Sequence, residues 1–263
     1  MIDETALRTI IFFTVLIIMV VLEICYPARK VPATQQKRLI GNFSLIIISG
    51  FMSRVVLPIG LAGFALYCVE QQWGLFNVLD LPTWLSIPIS ILLLDMIVYW
   101  QHRLFHKVPL LWRLHKVHHA DAHVDSSTAL RFHPIEIIAS IGVKATAVFI
   151  LGVPAIAVIL FEVLLNGFAI FNHANIRLPK TMEKLIRPVL VTQVLHRIHH
   201  SQLYKESNCN FGFSVIWWDR LFGSYADSAT KSDAEIDIGL TEYPDAKDNA
   251  HLWGLLAMPF KRK

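Results

Sequence analysis

Four apolar runs, each too long to be a surface element, set the terms for this chain. Thr9–Tyr26 carries one charge, Glu23; Phe43–Val69 contains only Arg54; Leu81–Trp100 contains only Asp95. About 20 such residues span a hydrocarbon core, so each run reads as a membrane helix, the first at the short limit. The fourth run, Ile135–Phe171, exceeds one crossing and is interrupted at Gly152-Val153-Pro154. A Gly/Pro break there predicts two shorter helices meeting in a hairpin. The remaining composition agrees: 54% of the chain is hydrophobic and 17% charged, against roughly a quarter charged in soluble domains. A cytosolic globule and a disordered chain are both excluded.

The loops set the orientation. Arg29, Lys30, Lys37 and Arg38 lie between the first two runs, whereas Glu70–Trp84 has no Lys or Arg. The positive-inside bias therefore predicts a cytoplasmic 27–42 loop and a 70–83 loop on the other side. The third run then returns to the cytoplasm, and a hairpin brings both ends of the fourth to that same face. Met1-Ile-Asp-Glu4 is no positive leader, and Glu23-Ile-Cys-Tyr-Pro27 lacks a small-residue cleavage site, so the first run reads as a retained anchor. The C-terminal Phe260-Lys-Arg-Lys263 is no clear retrieval signal, which favours a bacterial inner membrane over an endoplasmic reticulum. The net charge of +4 is too slight to argue for nucleic acid, and Cys25, Cys68 and Cys209 are too scattered for a disulfide framework or a CxxC site.

The expected fold is an all-α integral membrane bundle of four to five membrane segments with a cytoplasmic helical cap. The expected divisions are anchor helices over 1–91, a catalytic region over 92–226 and a polar, solvated tail over 227–263.

Histidines carry the chemistry. There are 12, and eight fall in three clusters: His102-Arg-Leu-Phe-His106, His115-Lys-Val-His118-His119 and His196-Arg-Ile-His199-His200. Residues three and four apart share a helix face, so each cluster aims its imidazoles one way. Unprotonated imidazole ligates iron, zinc, copper or nickel. Eight donors exceed the four that one tetrahedral zinc needs and suit two metals of four or five ligands each. His123 and His251 stand alone and read as ordinary polar residues. Asp121 and Asp125 are the only acids between Met96 and Arg131, so carboxylates add little to the ligand supply.

HxxxH, HxxHH and a distant second HxxHH among membrane helices resemble the fatty acid hydroxylase/sterol desaturase superfamily. The likeness extends from Asp95-Met-Ile-Val-Tyr-Trp-Gln-His102-Arg103 through Arg131-Phe-His133-Pro-Ile-Glu136 and Asn172-His173-Ala-Asn175. It continues in Asn210-Phe-Gly and Trp218-Asp-Arg-Leu-Phe-Gly223, and so covers about Leu92 to Tyr225. The resemblance implies an O₂-dependent hydroxylase or desaturase acting on a sterol, fatty-acyl or other lipid through two histidine-held iron ions. It makes His102, His106, His115, His118, His119, His196, His199 and His200 metal ligands, with His173 a ninth. His133 reads either as a further ligand or as the cap of the next helix. Asp95 is expected to accept a hydrogen bond from a ligand imidazole, and Asn210, Trp218, Asp219 and Arg220 to form a clasp over the site. No iron–sulfur, dinucleotide-binding or haem pattern is present, so electrons are expected from an external reductase, ferredoxin or b5-type donor. A different class, a non-enzymatic histidine-rich metal-binding or transport protein, also accounts for the histidines. A transporter, however, places ligands in broken helices at mid-bilayer, whereas these clusters follow the helices.

Overall fold

The computed structural model describes residues 4–261. Met1–Asp3 and Arg262–Lys263, part of the terminal stretches read above, lie outside the described residues. The described chain is helical, with isolated bridges and no strand. Its helices are α1 (Glu4–Cys25), α2 (Gln35–Val56), α3 (Gly60–Glu70), α4 (Leu75–Val78), α5 (Thr83–Lys107), α6 (Pro109–His119), α7 (Pro134–Leu151), α8 (Ala155–His173), α9 (Lys180–Ile186), α10 (Gln193–His199), α11 (Tyr204–Ser207), α12 (Trp217–Leu221), α13 (Ala246–Asn249) and α14 (Leu252–Ala257). Five segments are long and apolar enough to cross a membrane: Thr5–Cys25, Gln35–Val78, Thr83–Lys107, Pro134–Leu151 and Ala155–His173.

The second apolar run is not the single helix expected over 43–69. It begins earlier, at Gln35, and breaks between Val56 and Gly60. Pro58 supplies the reason, since it has no N–H for the helical ladder and its ring collides with the preceding turn. The fourth run does form the hairpin. Gly152 ends α7 with a left-handed φ of 70°, its N–H returning to Val148 O, and α8 starts after Pro154. Gly74 (φ 92°) rests against this tip so closely that a Cβ on it would stand 2.1 Å from Gly152 N. The α3–α5 connection and the hairpin tip therefore share one end of the bundle. The last turn of α5, the first of α7 and the last of α8 gather at the other.

Packing explains the bundle. Small side chains on α3 and α8 (Ala62, Ala65, Ala157) let backbones approach, and Leu94, Val98, Val148, Val158 and Phe161 fill the space between α5, α7 and α8. Ile17, Ile24, Ile47 and Phe51 point outward and are exposed, the surface that lipid tails accept. Three charges inside the apolar segments meet one another: Arg8 of α1 bonds Glu162 of α8, and Lys144 of α7 lies 3.9 Å from the same carboxylate.

A buried polar network docks the cap onto the bundle. Arg38, on the second turn of α2, meets Asp121 at 2.7 Å and Asp125 at 2.8 Å, and also bonds His123 O. Arg131 donates to Val117 O and Asn249 O, and Glu23 accepts from Ser126 and Asn175. Burial alone would raise the pKa of Asp121, but Arg38 and Arg131 outweigh it and hold the carboxyl below its ordinary value.

The 227–261 stretch, expected to be a solvated tail, packs down instead. Its few apolar residues are spaced to fill gaps: Ile236 and Ile238 join Val124 and Ile198, while Tyr243, Leu255 and Met258 close over Leu45 and Val117. Asp233 clamps Arg197 at 2.6 and 2.8 Å.

Arg38→Ala leaves buried Asp125 without its cation and Asp121 with only the more distant Arg131, and breaking such a buried pair costs about 3–5 kcal/mol. The expected outcome is a clearly lowered thermal midpoint of the detergent-solubilised protein, and an unchanged midpoint would show the network to be dispensable.

Candidate metal centre

Helix ends build the site. His102 and His106 lie on the last two turns of α5, and His115, His118 and His119 on α6, which starts at Pro109 directly after α5 ends. His173 ends α8, and His196, His199 and His200 lie on or just after α10. All nine are buried. Their nitrogens sort into two groups, within each of which the donor atoms lie within 4.8 Å of one another. One group is His102, His106, His115, His119 and His199; the other is His118, His173, His196 and His200. All three clusters, and His173 with them, are thus brought together. Two of the clusters are split between the groups, so one helix serves both.

The tautomers follow from what stands behind each ring. A carbonyl oxygen only accepts, so the Nδ1 atoms of His102 (2.7 Å from Phe211 O), His173 (2.7 Å from Ala169 O) and His199 (2.8 Å from Cys209 O) carry the hydrogen. Glu136 Oε1 does the same for His115 Nδ1 at 2.6 Å. In a neutral ring the other nitrogen, Nε2, is then a bare lone pair. Two such lone pairs, those of His102 and His115, face each other at 3.1 Å, which is repulsive unless a cation lies near both. The Nε2 of His173 stands 3.1 Å from that of His118 and 2.9 Å from that of His196. His106 Nε2, His119 Nε2, His199 Nε2 and both nitrogens of His200 are buried with no hydrogen-bond partner in the described structure. Each orphaned polar atom costs about 1–3 kcal/mol. Burial, and then the neighbouring imidazoles, push the pKa values of His118, His119, His196, His199 and His200 well below the ordinary 6.5. The rings are neutral at physiological pH, the form that binds metal. Nine inward-facing imidazoles in sets of five and four fit a pair of transition-metal ions.

Residues 87–224, more than half of the chain, match the family model described as fatty acid hydroxylase. The chain belongs to the fatty acid hydroxylase family. Similar proteins include the ornithine lipid hydroxylase OlsE of Rhizobium tropici, 28% identical over 182 residues, or 69% of this chain and 52% of that protein. The alkylglycerol monooxygenase of Danio rerio is 30% identical over 198 residues, 73% of this chain and 42% of its own length. The methylsterol monooxygenase 2-2 of Arabidopsis thaliana is 28% identical over 174 residues, 65% and 64% respectively. The chain spans about half the length of the first two. No solved structure matches it significantly.

In this member of the family Asp95, His133 and Asn210 act away from the rings, His133 in the capping one of its two expected roles. Asp95 touches no box imidazole. It accepts from Trp218 Nε1 at 2.8 Å, because it sits two turns up α5 while the rings take backbone carbonyls and Glu136. His133 caps α7: its Nδ1 accepts from Ile135 N at 3.2 Å and its Nε2 donates to Leu256 O at 3.3 Å. It belongs to neither histidine group. Asn210, at a left-handed φ of 51°, ties Leu195 O and Ala226 O through its amide, so it holds α10 rather than a ring. His123 also lies outside both groups.

Of the expected clasp, Asp219 grips the backbone, whereas Arg220 lies over the Tyr225 ring at 4.5 Å. Asp219 accepts from the N–H groups of Phe211 and Gly212 at 2.8 Å each and from Ser224 Oγ at 2.7 Å. That fixes the strip 209–213, whose Cys209 and Phe211 carbonyls orient His199 and His102. A Cβ on Gly212 would meet Val215 O at 2.7 Å and Asp219 Oδ2 at 2.9 Å, so only glycine allows this approach. Burial pushes the Asp219 carboxyl up to about 6, against the hydrogen bonds that favour its charge.

Glu136 is the residue that sequence reasoning placed in a motif without a role. Its signal was a charged group at the third position of a membrane helix, right after the His133 cap. Phe132, stacked on His118 at 4.4 Å and 9°, had no signal beyond its place in the same motif.

Two outcomes follow. Glu136→Gln removes the charge behind His115 and should weaken metal binding by about 10–100-fold, measured by chelator competition on protein whose helical circular dichroism is unchanged; equal affinity would dismiss the role. Separately, the folded-state pKa values of the five histidines are depressed, so the unfolded chain takes up more protons as pH falls below about 6.5. The stability of the metal-free protein should therefore be fullest above pH 6.5 and decline below it, seen as a falling thermal midpoint. Asp219 works in the opposite sense, but it is one group against five.

Proposed function

We propose that this chain is a membrane-bound, O₂-dependent lipid hydroxylase or desaturase. In this reading two iron ions are held by His102, His106, His115, His119 and His199 and by His118, His173, His196 and His200. The carrying observation is the sorting of nine buried imidazoles into sets of five and four, with unpartnered ring nitrogens among them. The family match and relatives named as lipid hydroxylases and monooxygenases support the substrate class. The bound metals supply O₂ activation for breaking an unactivated C–H bond, with electrons from an external reductase, ferredoxin or b5-type donor.

The protein's own part is positioning and exclusion. Backbone carbonyls and Glu136 hold the ligand rings in one tautomer, so no reorganisation is needed when charge changes at the site. Phe132, Phe211, Phe213 and Trp112 pack against the imidazoles and keep water from them. A lipid would reach the site from the bilayer between helices, with its reacting carbon at the interface where α5 and α8 end. Holding one carbon there is worth several powers of ten in rate. The boxes would face the cytoplasm, in a bacterial inner membrane, with 92–226 as the catalytic region.

The decisive measurement is comparative lipidomics of cells with the gene, without it, and with His118→Ala. One lipid should shift by the mass of an oxygen atom, or by the loss of a hydrogen pair, in wild type alone. A shift that survives His118→Ala, or no shift together with metal transport, would overturn the reading.

A further inference from the structure

A recess of about 490 Å³ opens on the cap beside the histidine nest. Trp112, Arg113 and Lys116 of α6 line one wall, and Glu242, Tyr243 and Lys261 the other. Among these side chains are three cations and one carboxylate, and with Lys261 paired to Asp248 the cations left to the recess are Arg113 and Lys116. Arg113 and Lys116 occupy the stripe of α6 adjoining the one that carries His115, His118 and His119, and Trp112 stands between the two stripes. Its ring lies 5.1 Å from that of His106 and 5.4 Å from that of His119.

Two observations point to an anion. Lys116 is 6% exposed, yet within the described residues its ammonium has no carboxylate partner. It donates to Tyr243 Oη at 2.9 Å and lies 5.1 Å over that ring. A buried lysine almost always carries a counter-charge, and a phenol meets only one of its three donors. Arg113 is held at the recess by its Nε, which donates to Pro259 O at 2.8 Å, and a guanidinium offers a fork suited to phosphate.

The position selects the source. Arg113 is tied to the 258–260 turn, and Phe260 reaches to 6.1 Å from His133, the cap of membrane helix α7. Val108 and Leu110, where α5 gives way to α6, and Phe260 itself are exposed. The recess thus lies at the level where membrane helices end, with apolar side chains on its lipid side and cations within. That is the arrangement an interfacial headgroup requires.

We propose that this recess binds a phosphate group, supplied by the headgroup of an anionic phospholipid, with Arg113 and Lys116 as its cationic partners. The inference stands apart from the oxygenase reading, because occupancy can be read on protein that turns nothing over.

The full chain is assembled in vesicles of phosphatidylcholine with and without phosphatidylglycerol and extracted into detergent, and the lipid retained per chain is counted by native mass spectrometry. Wild type is expected to keep phosphatidylglycerol over phosphatidylcholine. Arg113→Gln/Lys116→Gln should retain about tenfold less, with histidine-bound metal unchanged. If the double variant fails to fold, Arg113→Gln alone should reduce retention and Lys116→Arg should restore it relative to Lys116→Gln. Displacement of the lipid by inorganic phosphate supports the same chemistry and shows that the free anion suffices. Equal retention of the two lipids by wild type, equal retention by wild type and Arg113→Gln, or capture of an acidic protein with no lipid preference would each overturn the proposal.

Discussion

Nine imidazoles crowded into a buried pocket repel one another if protonated and leave costly orphan lone pairs if not. Everything else in this structure serves to hold them there. Burial keeps the rings neutral, and four of them are backed by an acceptor that fixes which nitrogen faces inward. The price is apparent in the unpartnered atoms of His106, His119 and His200, which a bound cation would satisfy. The arrangement differs from carboxylate-bridged helical bundles, in which glutamates supply much of the ligand set. Here Asp121 and Asp125 lie close in sequence to the second box, yet both are spent on Arg38.

The bundle makes this possible by sharing an end. Because Gly152 folds the fourth apolar run back and Gly74 packs on its tip, α5 and α8 deliver histidines to one face. The Arg38 network and the packed 227–261 stretch then close the cap from two sides. The charged pairs within the apolar segments, Arg8 with Glu162 and Lys144 beside it, tie α1, α7 and α8 without touching the site.

Much of this was legible in the sequence, for reasons that can be named. Apolar length located the membrane segments, the Gly152-Val153-Pro154 break located the hairpin, and i, i+3, i+4 spacing placed the histidines on shared faces. The arithmetic of eight or nine donors for two metals matches the two groups. The residues that back the rings were not legible, because three of the four partners are carbonyls, which every residue possesses. Asp95 looked like such a partner by periodicity, yet Trp218, over a hundred residues away in sequence, claims it. The tail read as solvated from its average composition, whereas a handful of apolar residues at the right spacing was enough to pack it. Pro58, inside an otherwise uniform run, was the available sign that the second span divides.

Orienting ligands with main-chain oxygens also decides where inherited change can do harm. No substitution at Cys209 or Phe211 deletes the carbonyl that holds His199 or His102, so the tautomers persist through a change of side chain, although at Phe211 that change also removes a ring packed on the imidazoles. The vulnerability moves to the latch behind them: Asp219, which grips the strip by its amides, and Gly212, where any side chain would push the strip outward. Genetic fragility in this protein should therefore be sharpest at two residues that never meet a ligand ring.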